Sequence, residues 1–237
     1  AEDLGASPAS GRCGGVEESN LIRQEAAASG PPQVQFSDDV ESGGDAWIAD
    51  GTGPGGADFA IVSDSANSPV SSWFVPDPNL VSDRRLTLAQ AVTLPAGGQP
   101  LLRFAHRFEL ENTFDGGVLE YSIDGGTSWQ DMLAGTGSIA ANPARFLANG
   151  YTGVIDDRFG SPIADRQAWT GTTDGTFVET AVDLSDFNGR NLLLRFRFAS
   201  DTSLEAVGWW IDDVSITAST SCTTAPAEPV FKDGFEP

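Results

Sequence analysis

Positive charge is scarce in this chain: 13 Lys and Arg residues and one His stand against 34 Asp and Glu, a formal charge of −21. A surface of that sign repels phosphate backbones and anionic bilayers, so nucleic acid is not an expected partner. No run of about 18 apolar residues occurs, and no membrane insertion by a helix is expected. Cysteine is limited to Cys13 and Cys222, with no C-x-x-C pair or Cys/His cluster to suggest zinc. H-E-x-x-H is missing, so the chain is not a zincin by itself, and no G-x-S-x-G elbow offers an activated serine. The E-x-D-x-x-E arrangement of jelly-roll glucanases is also missing, leaving glycan hydrolysis a distant third reading.

Turn formers are abundant instead: 27 Gly and 14 Pro among 237 residues leave few stretches able to run as long helices. With 40% hydrophobic residues the chain can build a sizeable core, and its texture predicts an all-β protein. Residues 1–33 read as a linker or leader, 34–219 as one antiparallel two-sheet jelly-roll β-sandwich, and 220–237 as a C-terminal tail. Alternation carries this expectation. Leu102, Phe104, His106, Phe108 and Leu110 share one face of a strand while Arg103, Arg107 and Glu109 share the other. Leu192, Leu194, Phe196 and Phe198 repeat the pattern, as do Val178, Thr180, Val182 and Leu184. Turns are expected at the DGG triplets 115–117 and 124–126 and at the NG and DG pairs from 149, 174 and 188. The stretch between Asp131 and Ile163 is poor in strand signals and reads as a long excursion.

The start at Ala1, the cysteine pair and the acidity point to a secreted, processed chain. If both termini lie at one edge of the sandwich, a Cys13–Cys222 bridge would add about 2–5 kcal/mol, the alternative being two unpaired thiols. Hard carboxylate oxygens gathered together suit Ca2+, and three groups qualify: Glu109, Glu111 and Asp115; Asp38, Asp39 and Glu41; Asp212 and Asp213. None fits the EF-hand loop, so a site must be assembled from distant segments. If the first and last strands are neighbours, Asp39 or Glu41 meets Asp213. The apolar run Val207–Ile216 forces Asp212 or Asp213 inward, where a carboxylate needs a cation, an arginine or several amide donors. His106, on the apolar face, reads as a hydrogen-bonded core residue. Ser122, Asp124, Gly126, Ser128 and Trp129 fit the Asp-box hairpin spacing, a local turn device. Adjacent Trp209 and Trp210 face opposite sides, and one exposed ring would suit sugar stacking.

Several separated blocks, FSDDVESGGDAW, SSWFVPDP, LRFAHRFELENTFDGGVLEYSIDGGTSWQDM, NGYTG, AWTGTTDGTFVETAVDLSDFNGRNLLLRFRFASD and GWWIDDVSI, together resemble the MAM-like jelly-roll module of secreted bacterial peptidases, including the immune-inhibitor-A type. The resemblance covers residues 35–217. It implies a non-catalytic accessory domain with a structural Ca2+, held by Glu111, Asp115 and Asp213, with Asp39 and Glu41 as further ligands. Implied partners are a peptidase domain, covalently attached or separate, and a glycan or protein surface. A free-standing carbohydrate-binding module is the alternative reading.

Overall fold

The computed structural model describes residues 31–53 and 56–219. Cys13 and Cys222, and with them the expected bridge, lie outside the described residues. Along the chain run β1 (Gln33–Asp38), β2 (Trp47–Thr52), β3 (Ala60–Val62), β4 (Ser72–Pro76) and β5 (Ser82–Leu88). They are followed by β6 (Val92–Thr93), β7 (Gln99–Glu109), β8 (Gly116–Ser122), β9 (Gln130–Asp131) and β10 (Phe146–Ala148). The last five are β11 (Gly153–Val154), β12 (Gln167–Ala168), β13 (Val178–Asp183), β14 (Asn191–Ser200) and β15 (Gly208–Ser219).

Two antiparallel sheets pack face to face. One has the order β10-β13-β7-β15-β4-β3, with β1 also paired to β15; the other has the order β2-β5-β14-β8-β9, with β6 on β14. The first and last strands are therefore neighbours, Asp38 lying opposite Val214. The alternating residues read from the sequence form the facing layers: Leu102, Phe104, Phe108, Leu192, Leu194, Phe196 and Phe198 are all buried. Such a core is worth about 25 cal/mol for each Å² of apolar surface removed from water.

The excursion after Asp131 does not hang free. Ile155 and Ile163 join Ala168 in covering Val118 and Ala199 on the outer side of the second sheet, a small second core. Arg145, fully buried, holds the first half of the excursion by donating to the carbonyls of Met132, Ala134 and Ala140. The two DGG triplets have different uses. Gly125 and Gly126 turn the hairpin with φ of +72° and +88°. Gly116 and Gly117 lie within β8, and a Cβ on Gly117 would meet the Trp209 ring at 2.5 Å. The expected turn at 115–117 is thus a strand start where close packing, not backbone reversal, demands glycine.

Candidate metal centre

Because β15 runs antiparallel to both β4 and β7, the C-terminal ends of β4 and β7 lie together beside the start of β15. In the opposite sheet β14 ends, and its antiparallel neighbour β8 begins, at this same end of the sandwich. Each of these four strand ends carries an acid: Asp77 after β4, Glu111 after β7, Asp115 before β8 and Asp201 after β14. Oxygens of Glu111, Asp115 and Asp201 all lie within 4.8 Å of one another. That is the span across one ion whose ligands sit at about 2.4 Å.

Backbone amides aim these carboxylates. The Asp201 amide donates to Asp115 Oδ1 at 2.7 Å, and the Glu111 amide donates to Asp77 Oδ2 at 3.2 Å. Asp201 Oδ1 accepts from the Ser203 amide at 2.7 Å. The 111–115 turn is closed by the amides of Phe114 and Asp115 on the Glu111 carbonyl, with Thr113 at φ +69°. What remains is one oxygen on each side chain, Asp77 Oδ1, Glu111 Oε2, Asp115 Oδ2 and Asp201 Oδ2, buried and without a hydrogen-bond partner. Asp77, Asp115 and Asp201 are at most 1% exposed. A buried, unpaired carboxylate oxygen is costly, and gathering the acids of Glu111, Asp115 and Asp201 within 4.8 Å compounds the cost. Burial accordingly raises the affinity of Asp77 and Asp115 for protons, and a hydrogen bond between the two carboxyls, in which Asp115 holds the proton, raises Asp115 further and lowers Asp77. Glu111 is raised for the same reason, by burial and by Asp201 and Asp77.

Glu111 and Asp115, expected from the sequence, belong to this cluster; Asp77 and Asp201 were not expected. The other three expected ligands lie elsewhere. Asp212 is opposite Ala105, six residues from Glu111, so Asp213 stands about 20 Å along the sheet from this centre. Its Oδ2 accepts from Asn67 Nδ2 at 2.7 Å, at a β-bulge where Asp213 itself has φ +50°. Glu41 Oε1 accepts the amides of Val70 and Ser71 at 3.0 and 2.7 Å, and Asp39 Oδ1 accepts the Glu41 amide at 3.2 Å. Asp39 and Asp213 do face one cleft, beside β1 and β15 as neighbouring first and last strands would place them. The Glu41 and Asp213 carboxylates fasten the loop before β4, that of Asp39 its own turn, and none of the three joins Glu111 and Asp115. Asp212, fully buried, is satisfied by the amides of Asn67, Ser68 and Asp213 at 2.7, 3.0 and 2.8 Å, the amide-donor solution to its burial.

His106 is fully buried and its ring is used on both sides. Trp209 Nε1 donates to Nδ1 at 3.2 Å, which leaves Nε2 to donate to Thr180 Oγ1 at 2.9 Å. Thr180 in turn donates to the Asn149 carbonyl at 2.9 Å. Burial holds His106 down to about 3, so the ring is neutral. The Asp-box spacing forms the local device expected of it: Asp124 accepts from Ser128, through amide and hydroxyl, at 2.9 and 2.6 Å.

No family model matches this chain. Among curated proteins it is 25% identical over 187 residues to Bacillopeptidase F of Bacillus subtilis, covering 77% of this chain and 10% of that protein. It is 27% identical over 148 residues to the pre-pro-metalloprotease PrtV of Vibrio cholerae, covering 62% of this chain and 13% of that protein. The chain thus spans about an eighth or less of the length of these curated relatives. Among solved structures it resembles the carbohydrate-binding module TmCBM61 in complex with β-1,4-galactotriose, at 12% identity, 78% and 99% coverage and a TM-score of 0.46. A cleaved adhesin domain of Lys-gingipain from Porphyromonas gingivalis is similar at 15% identity, 77% and 97% coverage and a TM-score of 0.43.

Proposed function

We propose that this chain is a non-catalytic, calcium-stabilised jelly-roll accessory domain of a larger secreted protein, such as a peptidase, to which it contributes stability, substrate positioning or attachment. The observation that carries the calcium part is the set of four buried carboxylate oxygens without partners, on Asp77, Glu111, Asp115 and Asp201. All four are hard oxygen donors, the set Ca2+ takes, and the spacing of Glu111, Asp115 and Asp201 fits a shared ion, with Asp77 beside them through its bond to the Glu111 amide. When bound, such an ion supplies the positive charge that the cluster lacks. Asp77 and Glu111 follow strands of one sheet, while Asp115 and Asp201 flank strands of the other, so these residues would tie the two sheets together at one end. Their burial leaves little room for an outside ligand on the ion, which favours a structural role over a catalytic or lectin-like one.

The peptidase part is supported by the two peptidases among the relatives, of which this chain matches a minor portion. The finer assignment, a MAM-like or immune-inhibitor-A-type module, rests on the ordered sequence blocks. A carbohydrate-binding module is the alternative. It has little tryptophan surface to draw on: five of the six tryptophans are buried, and Arg195 lies 4.3 Å over the half-buried Trp129 ring. Thermal unfolding with and without chelator tests the proposal. Calcium at 100 times its dissociation constant adds about 2.7 kcal/mol, enough to raise the melting temperature by several degrees. An unchanged melting temperature, or turnover of a polysaccharide by this chain, would overturn the proposal, and a glycan array tests the alternative.

A further inference from the structure

The seven residues between β14 and β15 hang from the acidic cluster at both ends. At the near end, Asp201 gives its amide to Asp115 and accepts the amide of Ser203. At the far end, the Val207 amide donates to the Glu109 carbonyl at 3.1 Å and the Val207 carbonyl accepts from the Asp77 amide at 3.4 Å. Between these tethers no described hydrogen bond uses the main chain of Leu204, Glu205 or Ala206. Leu204 is 66% exposed with φ +46°, a backbone region unfavourable for a branched apolar residue, and Glu205 is exposed as well. Val207 is 47% exposed. A loop with few contacts of its own and apolar side chains turned to solvent is easily opened and suits recognition by proteases. Its near tether runs to the Asp115 carboxylate and its far tether to the main chain of Asp77 and Glu109, so parting of these acids would loosen both.

We infer that the Asp201–Val207 loop is a cation-gated cleavage site: it is shielded while the acidic centre holds calcium and is cut by peptidases when the ion is withdrawn. This rests on the calcium reading given above. The reaction is ordinary hydrolysis, with water adding its hydroxyl to the acyl carbon and its proton to the released amine. The cut separates β15 from the strands before it. Since β15 lies between β7 and β4 and also pairs β1, its release would dismantle the first sheet. Calcium would in this way set how long the domain survives beside a peptidase.

Digestion of the full chain with a glutamate-specific serine endopeptidase, in calcium or in chelator, tests the gate. An unstructured control peptide corrects for the enzyme's own response to the buffer. Mass spectrometry follows the fragment beginning at Ala206, and calorimetric titration of calcium is run on the same sample. With calcium at 100 times its dissociation constant, cleavage at Glu205 should slow by about 100-fold if it follows the population of the opened state. Glu205→Gln should abolish this fragment, and Asp201→Asn should make its formation insensitive to calcium. Bound calcium with equal cleavage in both buffers overturns the gate and leaves the calcium reading standing. No bound calcium overturns both. Cuts at Glu109, Glu120 and Glu179 appearing as fast as the cut at Glu205 would mean global unfolding, and would also overturn the gate.

Discussion

His106 and the Asp77–Glu111–Asp115–Asp201 cluster are both polar groups sealed inside one sandwich, but their accounts close differently. Around His106 every donor meets an acceptor, from Trp209 through the ring to Thr180 and the Asn149 carbonyl. Aromatic rings complete the surroundings, with Phe104 and Trp169 at centroid distances of 5.0 and 4.9 Å from the imidazole. The acidic cluster is half finished: one oxygen each of Asp77, Asp115 and Asp201 accepts a main-chain amide, and the other, with Glu111 Oε2, is buried without a donor from the rest of the protein. A satisfied buried network specifies a core, whereas an unsatisfied one of uniform sign calls for a compensating charge or proton.

The largest effect is expected where the finished network is broken. His106→Ala removes a buried ring and strands the Trp209 and Thr180 groups, which should cost about 3–5 kcal/mol in denaturant unfolding, with or without calcium. Chelation comes next, removing about 2.7 kcal/mol relative to calcium at 100 times its dissociation constant. Asp115→Asn should reverse in sign with conditions. It should be less stable than the parent in calcium and more stable in chelator at high pH, where neither the ion nor a proton offsets the repulsion it relieves.

The two clusters also respond oppositely to acid. His106 falls from its ordinary 6.5 to about 3 in the fold, so the unfolded chain takes up the proton first. Its contribution is present above pH 6.5 and is lost as pH falls toward 3, by at most about 1.4 kcal/mol per pH unit. Asp77 and Asp115 are raised above 3.8, so their contribution in the metal-free protein is present below 3.8 and is lost as pH rises through their folded values. Unfolding free energies measured between pH 3 and 7 in chelator should therefore carry opposed contributions, and His106→Gln should remove the part that rises with pH on account of the imidazole. The smallest effect belongs to Asp213→Asn. It weakens one bond to Asn67 and should cost about 0.5–1.5 kcal/mol while leaving calcium binding unchanged.

Much of the fold was legible because burial on one face of a strand writes a period of two into the residues, as in Leu102 through Leu110. The excursion was visible only as a lack of strand signals, and the sequence had no mark for its packing on Val118 and Ala199. Half of the candidate site was readable, since Glu111 and Asp115 sit in one acidic turn. Asp77 and Asp201 each carry a weaker signal, an acid placed directly after a buried strand, in VPD and FASD. Bringing them together needs the strand order, which depends on pairings of residues far apart. Asp213 misled because its neighbour Asp212 truly is buried, and main-chain amides, invisible to a reading of side chains, satisfy it.

The most direct test of the central claim is a calcium titration by calorimetry on the parent chain, Asp201→Asn and Asp213→Asn side by side. Binding is expected in the parent and in Asp213→Asn, and its loss in Asp201→Asn. Binding that survives Asp201→Asn but disappears with Asp213→Asn, or no binding in any of the three, would contradict the claim.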